Sequence, residues 1–586
     1  MIESLLLFKK EIENTSISED FVKVNKEAIK AGFIVTEKAC TKDVLKFIKI
    51  QSINPNATFY SSWQEIFSKT RFELFVDQVK HYLSTYGSNF EDIPYIPNEG
   101  TADIPRIENL VVINTITQEE AAERLNKMIQ SGIALKSETV NQIMQIFKGL
   151  RYVFTESGIA LVKNREVKLK MYEEYKIKPK NPIELIKFIV YKATGSTLVI
   201  KNPETIQKCK ESGLNLNDYI DENNIKQIAS IFLRFKPIFL AFKNQSVNKS
   251  LINKLRKLAK TYHKPMVQSY WDRCITTTPD LTHELADSLT NFKKISLIEE
   301  ILIRQCATTP YTKPYIIRNG KLFMKERTLP VTKIYPYGLY NSLIKSLNKK
   351  ACRVKLPKNI EMVLPRSEKS FIGDYPLYTN IKIKEGSVVG IYWRNEWGAK
   401  DLDLSFVTNK NKFGWNGSYR SEDSQIAYSG DMTTANPEAT ELLLFRKDFS
   451  DTGIVKVNLF SGEEGSQFNL FVAKMDSSTR LETNYMVDPN NILFNVHTQM
   501  DSREKCLAII TKGSLYLAEL RTGSKHVSET KDITTAYAEY VAGTANCHIY
   551  LKETLSDAGF IIVDETEECD LDLSNPTKDQ IIDLLS

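Results

Sequence analysis

The chain has 586 residues, too many for one hydrophobic core, so two to four domains are expected. Its 42% apolar and 26% charged residues exclude a disordered or collagen-like polymer, and no apolar run approaches the roughly 18 residues of a membrane span. The net charge of +6 conceals a split, because residues 381–586 hold 20 Lys and Arg against 32 Asp and Glu, while residues 1–380 hold 58 against 40. A basic body joined to an acidic one points to different partners for the two halves, or to attraction between them.

Taken in chain order, MIESLLLFKKEIENTS reads as an amphipathic first helix, since acids follow its apolar patch and no small-residue cleavage site appears. Residues 1–308 read as a basic, all-α helical array. Capping boxes are expected at Ser62–Glu65 and Thr117–Glu120, and Asn181-Pro182 and Thr278-Pro279 each place a capping residue before a first-turn proline. The proline-bearing stretch 88–113 reads as a long loop and a possible sub-boundary.

Residues 223–271 contain no Asp or Glu and ten cations. Lys249, Lys254, Arg256, Lys257, Lys260 and Lys264 cluster in NKSLINKLRKLAKTYHK, where Leu251, Ile252, Leu255 and Leu258 form the buried stripe. Lys249, Arg256 and Lys260 share one face at spacings of seven and four, a row able to track phosphates and release counterions. Phe232, Phe235, Phe239, Phe242, Tyr262, Tyr270 and Trp271 are interleaved with the cations. The competing reading is a solvated amphipathic helix whose aromatic neighbours are core.

Residues 309–359 read as a junction, with Asn319-Gly320 marking a hairpin and a short helix near 338–350. From about 360 the apolar period changes to two. Strands are expected at 381–383, 388–393, 402–407, 426–428, 442–445, 454–460 and 468–473, as a β-sandwich requires. The β pattern continues through ILFNVHTQ, CLAIITKGSLYLAEL and HIYLKETLSDAGFIIVD, and 561–586 reads as an acidic tail around a short helix, either flexible or docking. The resulting fold class is multidomain α+β, an N-terminal helical array followed by a C-terminal sandwich over 360–560.

Asp401 and Asp403 alternate with Leu402 and Leu404, so in a strand both carboxylates project from one face. Asp431 follows Gly430 at the end of an apolar run, where a turn is expected. Carboxylates gathered at strand ends suit a hard, oxygen-seeking cation such as calcium. The plainer alternative is a solvated strand face and an ordinary Gly-Asp turn. DLDLSF at 401–406 resembles the DLDAS signature of the tellurium-resistance TerD family, and SGDMTTA at 429–435 resembles its SGDNRTG signature. VNLFSGEEGSQFNLFVAK at 457–474 is similar to a third family segment, in the same order, over roughly 375–480.

The resemblance implies a calcium-binding β-sandwich associated with stress-response systems and without established catalytic chemistry. It carries Asp401, Asp403 and Asp431 over as acidic ligands of one Ca2+ ion. The family's Gly- and Asp-rich stretch is replaced here by ANPEATE, which leaves Glu438 and Glu441 as the remaining carboxylates and removes donors for a second ion.

Eight dispersed cysteines without a CxxC pair fit reduced thiols in a cytoplasm and argue against a zinc ribbon. HExxH, GxxxxGK[ST] and GxSxG are absent. Two functions follow as expectations. The preferred one is a non-enzymatic, cytoplasmic, calcium-binding protein of stress-response or defence type, with an RNA, DNA or acidic protein on its basic helical domain and no membrane insertion. The alternative is a structural component of a phage-derived or other large assembly, in which copies of the chain pack together.

Overall fold

The computed structural model describes residues 11–13, 21–30, 33–41, 44, 111–196, 203–264, 282–306, 311–317, 321–329, 338–347, 352–421, 425–435, 438–463, 465–522, 531–544, 548–564 and 567–586. The expectations at Ser62–Glu65, 88–110, Asn319-Gly320, Tyr270, Trp271 and Thr278-Pro279 lie outside these residues. Helices dominate the N-terminal half and strands the C-terminal half, an α+β layout. No helix among the described residues is long and apolar enough to cross a membrane.

The N-terminal half begins with β1 (Glu11–Glu13), α1 (Phe21–Lys30), β2 (Phe33–Val35) and β3 (Val111–Ile116). The three strands form a parallel sheet in the order β1-β3-β2. This corrects the all-α reading of residues 1–308, the first-helix reading at residues 11–13 and the loop reading of 88–113 at its last three residues. The physical reason is visible in VVINTI, a β-branched run too short to display a helical period.

Eleven helices follow among the described residues. They are α2 (Gln118–Gln130), α3 (Ser137–Gly149), α4 (Glu156–Leu161), α5 (Arg165–Glu174), α6 (Pro182–Thr194), α7 (Pro203–Glu211), α8 (Ile225–Ile231), α9 (Lys236–Phe242), α10 (Lys249–Tyr262), α11 (Thr282–Asp287) and α12 (Asn291–Cys306). Thr117 and Glu120 close the expected capping box, and Asn181 caps α6 ahead of Pro182. Helices α6 to α10 bury their own apolar cluster, centred on Ile189, Ile228, Phe232, Phe239, Phe242 and Leu255. The hairpin of β4 (Tyr311–Ile317) and β5 (Lys321–Leu329) and the helix α13 (Leu339–Lys345) then lead into the second half.

The strands of that half, in chain order, start with β6 (Arg353–Lys355), β7 (Ile360–Glu361), β8 (Phe371–Ile372), β9 (Tyr375–Pro376) and β10 (Asn380–Lys382). There follow β11 (Ser387–Arg394), β12 (Ala399–Thr408), β13 (Lys412–Phe413), β14 (Ile426–Tyr428), β15 (Glu438–Phe445) and β16 (Gly453–Gly462). Next come β17 (Gln467–Lys474), β18 (Ile492–Gln499), β19 (Glu504–Thr511) and β20 (Ser514–Thr522). Most of them build two antiparallel sheets. One has seven strands in the order β13-β12-β16-β19-β20-β10-β7, and the other five in the order β14-β15-β11-β17-β18. Strands β18 to β20 join both sheets, so residues 492–522 extend the sandwich.

Leu402, Leu404 and Phe406 of β12 face Val389, Ile391, Leu443 and Phe445 of the other sheet across a shared core. Phe406 meets Phe445 edge-on, with ring centroids 5.6 Å apart. The same core continues without a break into α2, α3 and α12. The outer face of the five-stranded sheet is closed by Val388, Tyr392, Leu442, Leu444 and Phe471, packed with Val487.

The remaining elements tie the chain together. Strand β6 is flanked by β21 (Ile561–Val563) and β22 (Leu571–Asp572), both parallel to it. The small hairpin of β8 and β9 lies beside the sandwich. Helix α14 (Lys531–Thr544) packs on β16 and β19, and α15 (Leu551–Asp557) stands where HIYLKETLSDAGFIIVD was read as strand. In α16 (Lys578–Leu585), Ile581, Ile582 and Leu585 are buried, so this end of the chain is docked. Its cap is Thr577 with Gln580. The buried Glu368 accepts hydrogen bonds from the Lys578 ammonium, the Lys136 backbone N–H and the Thr139 hydroxyl, which joins α16 to the start of α3.

Candidate metal centre

Strand β12 carries the first two carboxylates. Along most of its length it pairs with β16, but β13 pairs only with Phe406 and Val407, so the opposite edge of its first half is open. The pairing with β16 slips on both sides of Asp401, which bends the strand there. Asp431 comes from the other sheet, in the irregular segment after β14. Gly430 directly before it has φ of +119°, and a Cβ at that position would meet the Thr483 hydroxyl at 2.7 Å. Glycine is therefore what allows the chain to turn Asp431 toward β12.

These segments bring Asp401, Asp403 and Asp431 together, with a carboxylate oxygen of each within 4.8 Å of the others. Asp401 and Asp403 are only 5% and 3% exposed, and Asp431 is half-buried. The strand face that carries Asp401 and Asp403 is therefore not the solvated one of the plainer alternative. The open edge of β12 is covered by β15 and by the segment carrying Asp431.

One oxygen on each of the three (Asp401 Oδ1, Asp403 Oδ2 and Asp431 Oδ1) is buried with no hydrogen-bond partner. Among the described residues no lysine or arginine forms an ion pair with them. Burial raises Asp401 to about 6, with Asp431 adding to the effect. Burial likewise raises Asp403 to about 7, reinforced by Asp401 and Asp431. Asp431 is raised by burial as well. Lys412 is the cation nearest to compensating Asp403, and burial pushes its own pKa down to about 8.

The two glutamates take different places. Glu441 is fully buried and faces the inter-sheet space beside the triad. Its Oε2 accepts the Leu404 N–H at 2.7 Å and its Oε1 the Met432 N–H at 2.9 Å. Those donors belong to the residues just after Asp403 and Asp431, so Glu441 clamps together the two segments that carry the aspartates. Burial raises its pKa well above the ordinary range despite these bonds. Glu438 has the opposite parity along β15 and accepts the Tyr392 hydroxyl at 2.7 Å on the sheet's other face. The structure therefore brings together three of the five expected carboxylates, holds Glu441 behind them as a strut, and directs Glu438 away.

Three further polar groups flank the triad. Asn458 faces Asp403 across the β12–β16 pair, and Ser405 follows Asp403 by two residues on the same face. The buried polar side-chain atoms of both lack hydrogen-bond partners. The Tyr428 hydroxyl stands near Glu441, Asp431 and Asp403. Ser405 was accessible from the alternation of DLDLS, whereas Asn458 and Tyr428 required the sheet topology.

Buried, mutually repelling carboxylates without donors are costly. An all-oxygen donor set of this charge fits a hard divalent cation, and calcium takes six to eight oxygens in adaptable geometry. A soft or imidazole-seeking metal finds no thiol or imidazole in this cluster.

The six cations of the basic stretch are all exposed, five of them on α10 or at its first residue and Lys264 just beyond it. Lys254 pairs with Glu222 at 2.6 Å, while the other five form no ion pair among the described residues. Phe232, Phe239 and Phe242 are core residues, as the competing reading of this stretch has it. Tyr262 is exposed, with Lys226 over its ring at 5.9 Å. The cationic row is present, and of the aromatics expected beside it Tyr262 and the half-buried Phe235 are the ones that keep exposed surface among the described residues. No family model, curated protein or solved structure matches the chain.

Proposed function

We propose that the sandwich is a TerD-like domain holding one hard divalent cation, calcium foremost, on Asp401, Asp403 and Asp431. The observation that carries this reading is the buried triad with an orphaned oxygen on every member. Ser405, Asn458 and Tyr428 supply neutral oxygens at its margin, and Glu441 keeps the two ligand-bearing segments in place. A bound ion would neutralise the mutual repulsion and tie the edge of the seven-stranded sheet to the segment after β14. The protein is then a non-enzymatic binding protein of stress-response or defence type, in which the cation stabilises the acidic half while the α10 row presents positive charge to RNA, DNA or an acidic protein.

The test is calorimetric titration of the metal-stripped full chain with Ca2+ and Mg2+, repeated on Asp401→Asn and Asp431→Asn. One calcium per chain, lost in both variants while the circular dichroism spectrum is kept, supports the proposal. Absence of heat and of any thermal shift with either ion overturns it.

A further inference from the structure

The helical half contains a cavity of about 390 Å³, remote in sequence from the triad, lined by residues from the end of α4, the starts of α5 and α12, and α6. Its charge is one-sided. Lys163, Arg165, Lys168, Lys187 and Lys293 line it against a single carboxylate, Glu184. That carboxylate is already engaged, by the Lys168 ammonium at 2.7 Å on one oxygen and the Tyr172 hydroxyl at 2.7 Å on the other. Arg165 and Lys187 form no ion pair among the described residues.

Two polar atoms of the lining, Arg165 Nε and Thr290 Oγ1, are buried without any hydrogen-bond partner. A buried guanidinium nitrogen left unsatisfied is as unusual as an orphaned carboxylate oxygen, and it calls for an acceptor. Burial lowers the pKa of Lys187, Arg165 lowers it further, and Lys168 and Arg234 add to this against the opposing pull of Glu184, so cations crowd this ammonium. Helices α5 and α12, of ten and sixteen residues, both begin at this cavity, which adds the positive ends of two helix dipoles. Val162 and Leu169 give the wall an apolar portion.

We propose that this cavity binds a phosphate-bearing small molecule, with Arg165 and Lys187 holding the phosphate and the Val162–Leu169 wall contacting its uncharged part. The volume lies at the lower end of the roughly 300–1,000 Å³ of small-molecule sites, which suits a sugar phosphate or mononucleotide and excludes a polymer. The site is distinct from the exposed row on α10, since none of that row's cations lines it. Gly132, at φ of +78°, closes one side with room for its Cβ but no more, since Thr290 and Lys163 lie 3.5 and 3.6 Å from that point.

The experiment uses the full chain and three probes at low ionic strength: AMP, inorganic pyrophosphate and uncharged adenosine. AMP and pyrophosphate are expected to bind and raise the melting temperature, while adenosine does neither. Arg165→Gln weakens AMP at least tenfold, whereas Lys474→Gln, exposed at the end of β17, leaves it unchanged. Should Arg165→Gln fail to fold, Lys187→Gln carries the same comparison, because its ammonium makes no hydrogen bond among the described residues. Failure of both anionic probes to bind at millimolar concentration overturns the proposal, as does equal binding by adenosine or undiminished AMP binding in the variants. None of these outcomes depends on calcium, so this site and the aspartate centre stand or fall separately.

Discussion

Replacing Asp403 with Asn should reverse its effect on stability according to whether calcium is present. In the metal-free protein at pH 8 Asp403 is ionised, 3% exposed, and repelled by Asp401 and Asp431. Its rise from 3.8 to about 7 corresponds to about 4 kcal/mol of penalty on the charged form, an upper limit because the neighbouring carboxylates share the shift. Asp403→Asn keeps the shape and removes the charge, so the metal-stripped variant should be more stable than the parent by about 2–4 kcal/mol. Calcium at a hundredfold excess over its Kd returns about 2.7 kcal/mol to the parent and little to the variant, so the two converge or exchange order. For a unit of 150–250 residues each kcal/mol moves Tm by about 2–4 °C, well within reach of scanning calorimetry. The full chain is scanned in chelator and in excess calcium. A variant that melts lower than the parent in chelator, with a parent indifferent to calcium, would refute the reasoning.

The same carboxylates set a pH dependence. Their folded pKa values lie above the unfolded ones, so their contribution is present below about pH 4 and disappears as pH rises through about 6 for Asp401 and about 7 for Asp403. Metal-free protein should therefore melt higher at pH 5 than at pH 8, with a flatter profile in the Asp401→Asn/Asp403→Asn double variant. Lys456 and Glu504, 2.9 Å apart and 2% and 1% exposed, form a buried pair, so Glu504→Gln should cost about 3–5 kcal/mol in urea unfolding while Lys456→Met/Glu504→Leu costs far less. Gly430→Ala should lower stability by about 1–3 kcal/mol and weaken calcium binding in titration, through the positive φ and the close approach to Thr483. Changing Lys249, Arg256 and Lys260 together to Gln should reduce the salt slope of single-stranded RNA binding by about 0.7 for each phosphate that the variant no longer neutralises, measured by fluorescence anisotropy across a salt series.

Alternation made much of the sandwich and its triad legible. DLDLS placed two carboxylates on one strand face, and Gly430-Asp431 marked the turn that brings the third. The same parity separates Glu438 from Glu441, three residues apart on β15 and hence on opposite faces, but composition alone had grouped them. Glu441 escaped recognition as a strut because its partners are backbone N–H groups of segments distant in sequence. Around α15, LKETLSD and its apolar flanks are too short to tell helix from strand by period, and packing decides. In the basic stretch the phenylalanines are required by the core of α6 to α10, a demand that the absence of acids does not reveal.

Strand β6 sits between β21 and β22, and the Arg353 N–H donates to Asp570 across 217 positions of chain, while Lys127 reaches Asp583 across 456. Bonds of this reach are the slowest to gain, because the entropy of closing so long a loop is given up before any pairing rewards it. The α2–α16 and β6 junctions should thus be among the last regions to acquire protection from hydrogen exchange during refolding. Until they do, the paired surfaces of α2, α12 and the sandwich remain uncovered, which makes a folding chaperone most useful to this chain late and not early.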